Sequence, residues 1–297
     1  VTGLEQESFP ALGIDLSHPS VARVYDYYLG GTANWEIDRQ FAERMLRDYP
    51  MVRPIAQANR RFLHRVVRHL VRRGIRQIVD LGSGVPTMGH AHEIAEQIAP
   101  GEVKVAYVDC EPVAVAHSAS LLREKGDPAR QVALHADLRD PRRLWSLLGD
   151  SGVLDLDQPI ALLLICVLHI QQPPAPGDES TGDLGPSLTA EYRDLLAPGS
   201  YLALSHVTDE GVPPHYEQLL ADGKERYAEA GTDLIYRGRA EITELFGDFA
   251  LLEPGVTWTP LWHPEEAGPN DQPLPLCAAN ESLLLAGVAH KEPDGLR

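Results

Sequence analysis

The sequence predicts an α/β fold: a mostly parallel sheet flanked by helices, preceded by a helical cap. Three observations carry this. From Gln77 onward, short apolar and β-branched runs alternate with segments of helical period, the pattern of successive strand–helix units. The run Ile160 to Leu168 is apolar almost throughout, as a central strand buried on both faces requires. The stretch Arg76 to Ala99, RQIVDLGSGVPTMGHAHEIAEQIA, joins one such run to a helical pattern through a tight glycine turn.

Taken in order, residues 1 to 16 carry no period and are expected to be loose. Ser17 or Ser20 can cap a first helix through Val21, Val24 and Tyr28, which Gly30-Gly31 ends. Trp35 to Tyr49 reads as a second helix and residues 55 to 73 as a third, with Phe62, Leu63, Val66, Val67, Leu70 and Val71 as its core stripe. Residues 17–76 thus form the cap, residues 77–290 the α/β domain, and residues 291–297 a frayed tail.

Within the α/β domain, Gln77 to Leu81 is the first strand. The helix after it carries Met88, Ala91, Ile94, Ala95 and Ile98, and Pro100-Gly101 stops it. Strands follow at Val103–Val108, Gln131–Leu134, Ile160–Leu168 and Tyr201–Val207, with helices opened by Pro112 and by Asp140-Pro141. Gln171 to Pro186 is a long loop, Leu188 to Leu196 a helix, and Tyr216 to Ala230 and Ala240 to Phe246 two more. Phe249–Leu252 with Val256–Leu261, and Leu283–Val288, are the last strands, with His263 to Pro275 as the loop of their hairpin.

Composition narrows the function classes. A formal charge of −17 argues against general nucleic-acid binding. The longest apolar run is too short to span a bilayer, and no charged segment followed by an apolar one opens the sequence. Cys110, Cys166 and Cys277 form no disulfide framework, which reads as a reduced, cytoplasmic protein. The charge is uneven: Arg53 to Arg76 holds eight arginines and no acid. This is either a basic surface for RNA or an acidic partner, or, as expected here, a solvated helix face docked on an acidic domain.

The glycine turn lacks the third glycine of a dinucleotide fingerprint. Thr87 stands there, after Pro86. That argues against a nicotinamide-dependent oxidoreductase. Asp80 lies two residues before Gly82-Ser83-Gly84, a placement suited to a ligand carrying an amino acid, whose ammonium needs a carboxylate. Three successive strands end in acid-bearing turns, at Asp80, Asp109 and Asp137. Ligands of open α/β sheets bind at those ends. Asp109 offers two acceptors to the two hydroxyls of a ribose. Asp137 can accept from an adenine amino group, with Leu138 packing the ring.

D-L-G-S-G, then V-D-C-E-P, then A-D-L resemble in order the motifs of class I S-adenosylmethionine (SAM) methyltransferases. With ARVYDYYLGG, FLHRVVRHL and APGSYLALSH, the stretch Pro19 to Ala289 resembles one poorly characterised SAM-dependent family, once catalogued as a domain of unknown function. The resemblance implies a Rossmann-like, seven-stranded sheet with its last strand antiparallel, and SAM as cofactor. It supplies no substrate. The 29 residues from Asp80 to Asp109 exceed the usual dinucleotide spacing of about 20.

Methyl transfer needs proximity, alignment and desolvation, and a base where the nucleophile bears a proton. His169 and His206, after the fourth and fifth strands, are the candidates, with a structural role as the alternative for each. Cys166 is expected to wall the cofactor site beside Cys110, with no sign of an activated thiolate. No structural zinc is expected, because His90, His92, Cys110 and His117 lack a metal spacing. The segment Ala22 to Gly31 suggests a lid, hinged at Gly30-Gly31, with Arg23 facing a carboxylate and Tyr27 or Tyr28 walling the transfer channel. The acceptor is expected to be a small molecule presenting oxygen or nitrogen, with no nucleic-acid or membrane partner and homo-oligomerisation left open. A non-catalytic SAM-binding protein is the alternative.

Overall fold

The computed structural model describes residues 16–85, 89–171, 182–269 and 271–293. Residues 1–15 of the N-terminus expected to be loose, Pro86 to Met88, residues 172–181 of the expected loop and residues 294–297 of the expected tail fall outside the described residues.

Three helices come first: α1 (Val21–Tyr28), α2 (Glu36–Asp48) and α3 (Val52–Arg72). The α/β segment follows as β1 (Gln77–Leu81), α4 (Ala91–Glu96), β2 (Lys104–Asp109), α5 (Pro112–Lys125), β3 (Gln131–His135), α6 (Pro141–Asp150) and β4 (Ala161–Ile165). Then come α7 (Gly185–Leu195), β5 (Tyr201–Val207), α8 (Glu217–Glu229), α9 (Arg239–Glu244), β6 (Ala250–Leu251), β7 (Thr257–Trp258) and β8 (Leu284–His290).

The strand order is β3-β2-β1-β4-β5-β8-β6, with β7 also paired to β8. The first five strands are parallel, and β8 runs antiparallel to β5, with Leu204 opposite Gly287. Because β6 and β7 share the outer side of β8, eight strands fill seven places. This is the Rossmann-like class I arrangement, with its antiparallel strand inserted beside the parallel five. The order reverses between β1 and β4, and ligand crevices of such sheets open at that point.

Each sheet face is covered. One core layer gathers Val79, Leu81, Leu162, Leu204 and the helices α6, α7 and α9. The other packs Ile78, Leu163 and Val288 under α3 and α4. A third cluster joins α1 and α2 to α8 through Val24, Tyr28, Phe41, Leu219 and Leu220. The third helix therefore serves both the sheet and the cap.

Three local expectations change. The helix after the glycine turn starts only at Ala91, where Glu93 reaches back to the His90 N–H at 3.1 Å. The fourth strand stops at Ile165, because Cys166 takes a left-handed φ of +60° and turns the chain out of the sheet. The arginines of α3 are not a solvated face. Arg65 and Arg68 are buried, Arg65 donating to Trp262 O at 2.8 Å and Arg68 to Glu266 O at 3.1 Å, while Arg72 pairs with Glu266. They clamp the chain at Thr259, Trp262 and Glu266, where the sequence suggested the end of a strand at Leu261 and a hairpin loop from His263 to Pro275. Among the described residues, no helix is long and apolar enough to cross a membrane.

Candidate active site

A cavity of about 440 Å³ opens at the carboxyl ends of the strands, below α1 and between α3 and α8. It falls within the range of small-molecule sites, roughly 300–1,000 Å³. Its floor is the glycine turn. Gly82 and Gly84 adopt φ +64° and +61°, which only glycine takes without strain. A Cβ at Gly82 would also come within 2.7 Å of the Val167 side chain.

The two acids of the first two strands reach this floor. Asp109 accepts the Gly84 N–H through one carboxylate oxygen and the Glu111 N–H through the other, both at 2.8 Å. It therefore ties the glycine turn to the start of α5, with lone pairs left over for a ligand. Burial raises its carboxyl above the usual range, against the pull of those N–H groups. Asp80 is only 3% exposed, and burial lifts its carboxyl to about 6. The Arg60 guanidinium tempers that rise and the Asp109 charge adds to it. Ser83, Cys110 and Leu138 complete this side of the wall. Although part of Cys110 is exposed, partial desolvation and the neighbouring Asp109 and Asp137 carboxylates push its thiol up to about 11.

On the other side of the strand-order reversal stand Cys166 and His169. The Cys166 sulfur lies 3.9 Å from His169 Nε2. Burial pushes the thiol up to about 12, so it stays protonated as a wall residue. Burial, then the charges of His206 and Arg237, push the His169 imidazole down to about 3, so it is neutral. Its Nδ1 is buried with no hydrogen-bond partner. The contrast in wall chemistry follows the topology. Charged lining comes from β1, β2 and α3, whereas Val207, Leu219, Leu220, Leu234, Leu283 and Leu284 line the side of β5, β8 and α8.

Four expected site residues lie elsewhere. Arg23 is 1% exposed and held by Asp38 and Glu111, each at 2.7 Å, so it braces α1 and faces no ligand carboxylate. Tyr27 donates to Glu43 at 2.9 Å, and its neighbours Ala22, Tyr25 and Tyr28 line the cavity in its place. Asp137 is grasped by Arg139 through its N–H, its Nε and its terminal nitrogen. Burial pulls the Asp137 carboxyl up, but the Arg139 hydrogen bonds outweigh it and hold it below the usual range. His206 is fully buried behind the wall. Its Nδ1–H donates to Val207 O at 2.7 Å, which leaves Nε2 to accept from Arg237. Burial brings its imidazole down to about 4, so it is neutral, and it does not line the cavity.

The glycine pair expected to hinge α1 is a packed turn. The Gly31 N–H closes on Asp26 O at 2.9 Å, and a Cβ there would overlap the Asp26 carboxylate.

Sequence reasoning missed Arg60, Glu111, Asn59 and Tyr25. Arg60 lines the cavity and donates to Gly89 O at 2.8 Å. Its signal was present: it sits three residues before Leu63 and seven before Val67, a charged residue on the apolar stripe of an amphipathic helix. Asn59 receives the Ser205 hydroxyl at 2.6 Å and donates to the Tyr25 hydroxyl at 3.0 Å, so one amide joins α1, α3 and β5 at the cavity edge. Among the described residues, no group of three or more His, Cys, Asp or Glu side chains is placed to hold a metal.

Solved structures share this fold. A solved proposed methyltransferase from Thermobifida fusca YX is 34% identical, covering 96% of this chain and 98% of its own at a TM-score of 0.78. A DUF574-family protein from Streptomyces avermitilis MA-4680 is 30% identical over 94% of this chain and 99% of its own, with a TM-score of 0.79. An O-methyltransferase family protein from Burkholderia thailandensis, 14% identical over 86% of this chain and 62% of its own, shares the fold at a TM-score of 0.51. No curated protein matches the chain. The model of the S-adenosyl methyltransferase family matches residues 8–292, nearly the whole sequence, and the chain belongs to that family as a SAM-dependent methyltransferase.

Proposed function

We propose that the chain transfers the SAM methyl group to an oxygen or nitrogen of a small molecule held inside the cavity. One observation carries the reading. At the strand-order reversal, a charged glycine-turn floor and an apolar chamber under α1 form one continuous cavity.

The residues suit the cofactor. Among the described residues, no atom lies within 4 Å of a Cβ added at Gly84, and Gly84 lines the cavity, so its backbone can approach a ligand. Asp109 would accept from the ribose hydroxyls, beside Leu138 for the adenine ring. Asp80 would face the ammonium, and Arg60, on the same floor, the methionyl carboxylate. When bound, the cofactor supplies a methyl carbon already activated on a sulfonium.

The chain supplies orientation and the exclusion of water. Helix α1 covers the cavity with Ala22, Tyr25 and Tyr28, which favours the lid reading over a remote appendage. His169, neutral and weakly basic, would accept a hydrogen bond from the acceptor's O–H or N–H and aim its lone pair, and as the new bond to carbon forms and the S–C bond breaks the acceptor's proton would pass to solvent water. The cavity's volume of about 440 Å³ favours a small acceptor, and the charge of −17 disfavours nucleic acid.

Calorimetry with S-adenosylhomocysteine (SAH) should show one site per chain, and labelled SAM should give a labelled product with a metabolite extract. Lack of SAH binding would end the reading. Binding without transfer to any extract would favour a non-catalytic role.

A further inference from the structure

We propose that the methyl acceptor is an uncharged, largely apolar, ring-bearing molecule, seated between α1, α3 and α8. The proposal rests on the cofactor assignment above and concerns the other half of the cavity.

Among the described residues, every ionised group lining the cavity lies on one side. Arg60, Asp80, Asp109 and Glu111 come from α3, β1, β2 and the turn that starts α5. Three of them are already engaged, Asp109 through the Gly84 and Glu111 N–H groups. Glu111 holds Arg23 and caps α5 through the Ala114 N–H at 2.8 Å, and Arg60 donates to Gly89 O.

The opposite side belongs to the cluster that joins the cap to α8, where Met45, Val52, Ile55, Leu219, Leu220 and Leu283 face the space. A charged acceptor placed there would lose its hydration with no counter-charge to replace it. The net charge of −17 further disfavours an anion.

Tyrosines supply the remaining wall, and two of them spend their hydroxyls inside the protein. Tyr25 donates to Ala56 O at 3.0 Å and accepts from Asn59, while Tyr236 donates to Leu220 O at 2.9 Å. With those hydroxyls tied down, the two residues offer ring surface more than hydrogen bonds. Ring surfaces pack best against another ring, edge-on or offset. Tyr28 and Tyr227 extend the same wall. The polar groups between the two halves are the Cys166 thiol and the neutral His169 imidazole, so an acceptor needs only one hydroxyl or amine pointing back toward the strand ends.

The test uses SAH-saturated protein and two probes of the same ring system, naphthol and naphthalenesulfonate, titrated by calorimetry. Naphthol should bind at one site at least about tenfold more tightly than the sulfonate. Gly223 lies in α8 at the cavity wall, where an added Cβ would stand 3.2 Å from the Tyr236 hydroxyl. Gly223→Leu should weaken naphthol at least about tenfold while leaving SAH affinity within about twofold, since it fills only the apolar half. Should that variant fail to fold, the probe pair on the unaltered protein decides alone. Sulfonate binding as tight as naphthol overturns the proposal, and so does SAH binding with neither probe bound. Failure of SAH itself to bind overturns the cofactor assignment, and the proposal with it.

Discussion

Asp80 and Asp109 are acids that burial disfavours in their charged form, and both directions of shift say so. The consequence for Asp80 can be signed. Its folded carboxyl titrates near 6, whereas an unfolded one titrates near 4. Between those values the folded state holds a proton that the unfolded state has lost, so stability falls as pH rises through the window. At pH 7 the penalty is on the order of 1–3 kcal/mol. Asp80→Asn should therefore stabilise the ligand-free protein by about that much at neutral pH and by little at pH ~4, read from denaturant midpoints. The same variant should bind SAH more weakly, and the unaltered protein should lose SAH affinity as pH drops below about 6. Stabilisation that is equal at both pH values would contradict the account. Asp109→Ala removes the tie between Gly84 and Glu111 as well as the ribose acceptor. Charged hydrogen bonds of about 1.5–3 kcal/mol predict roughly 10- to 150-fold weaker SAH binding by calorimetry. Unchanged affinity would refute the ribose assignment.

Helix α1 is held by one buried ionic knot. Asp38 accepts Arg23 Nε at 2.7 Å and the backbone N–H groups of Ser20 and Trp35 at 2.9 Å. It thereby joins the entry of α1 to the start of α2. Glu111 carries the same Arg23 across to the turn that Asp109 organises. The cap is thus wired to the cofactor floor through Arg23, without touching it. Arg23→Ala strands the fully buried Asp38 carboxylate, and should cost about 3–5 kcal/mol of stability. Its effect on SAH affinity should be the smaller one. Denaturant unfolding and calorimetry on the same sample separate the two, and a large affinity loss at an unchanged midpoint would return Arg23 to the ligand.

Across the whole molecule, α3 is the axis on which sheet, cap and C-terminal segment meet. Trp262 is fully buried against it, edge-on to Phe62 and His69 with ring centroids 5.4 Å away in each case. Arg65 binds the carbonyls of Thr259 and Trp262 on either side of that anchor. Forked donors meet backbone carbonyls that a lysine could not bridge in the same way. This gives a partial physical account of a chain with 22 arginines and 4 lysines. Trp262→Ala should cost about 3–5 kcal/mol, the scale of a large aromatic removed from a core, and expose segment 259–267 to proteolysis. Preserved stability with an intact segment would show that the arginines alone hold it.

The sequence by itself determined whatever depends on neighbours along the chain. Strand periods placed β1, β2, β3 and β5 within a residue or so, and the turn that ends a strand must follow it, so Asp80, Gly82, Ser83, Gly84 and Asp109 could be read as one floor. Only tertiary structure decided what depends on partners far along the chain. Arg23 looked available for a ligand because Asp38 and Glu111 are 15 and 88 residues away. His206 looked like a base because nothing local shows that Arg237 occupies its Nε2. Asp137 shows the limit from the other side: Arg139 was only two residues away, yet the strand-end pattern outweighed it. The arginines of α3 find carbonyls 194 to 198 residues on, and every residue has a carbonyl, so no side-chain pattern advertises such an acceptor. Local period and turn chemistry write the sheet and its ligand edge into the sequence, whereas charge neutralisation and burial are settled by which distant groups the closed fold brings within hydrogen-bond reach.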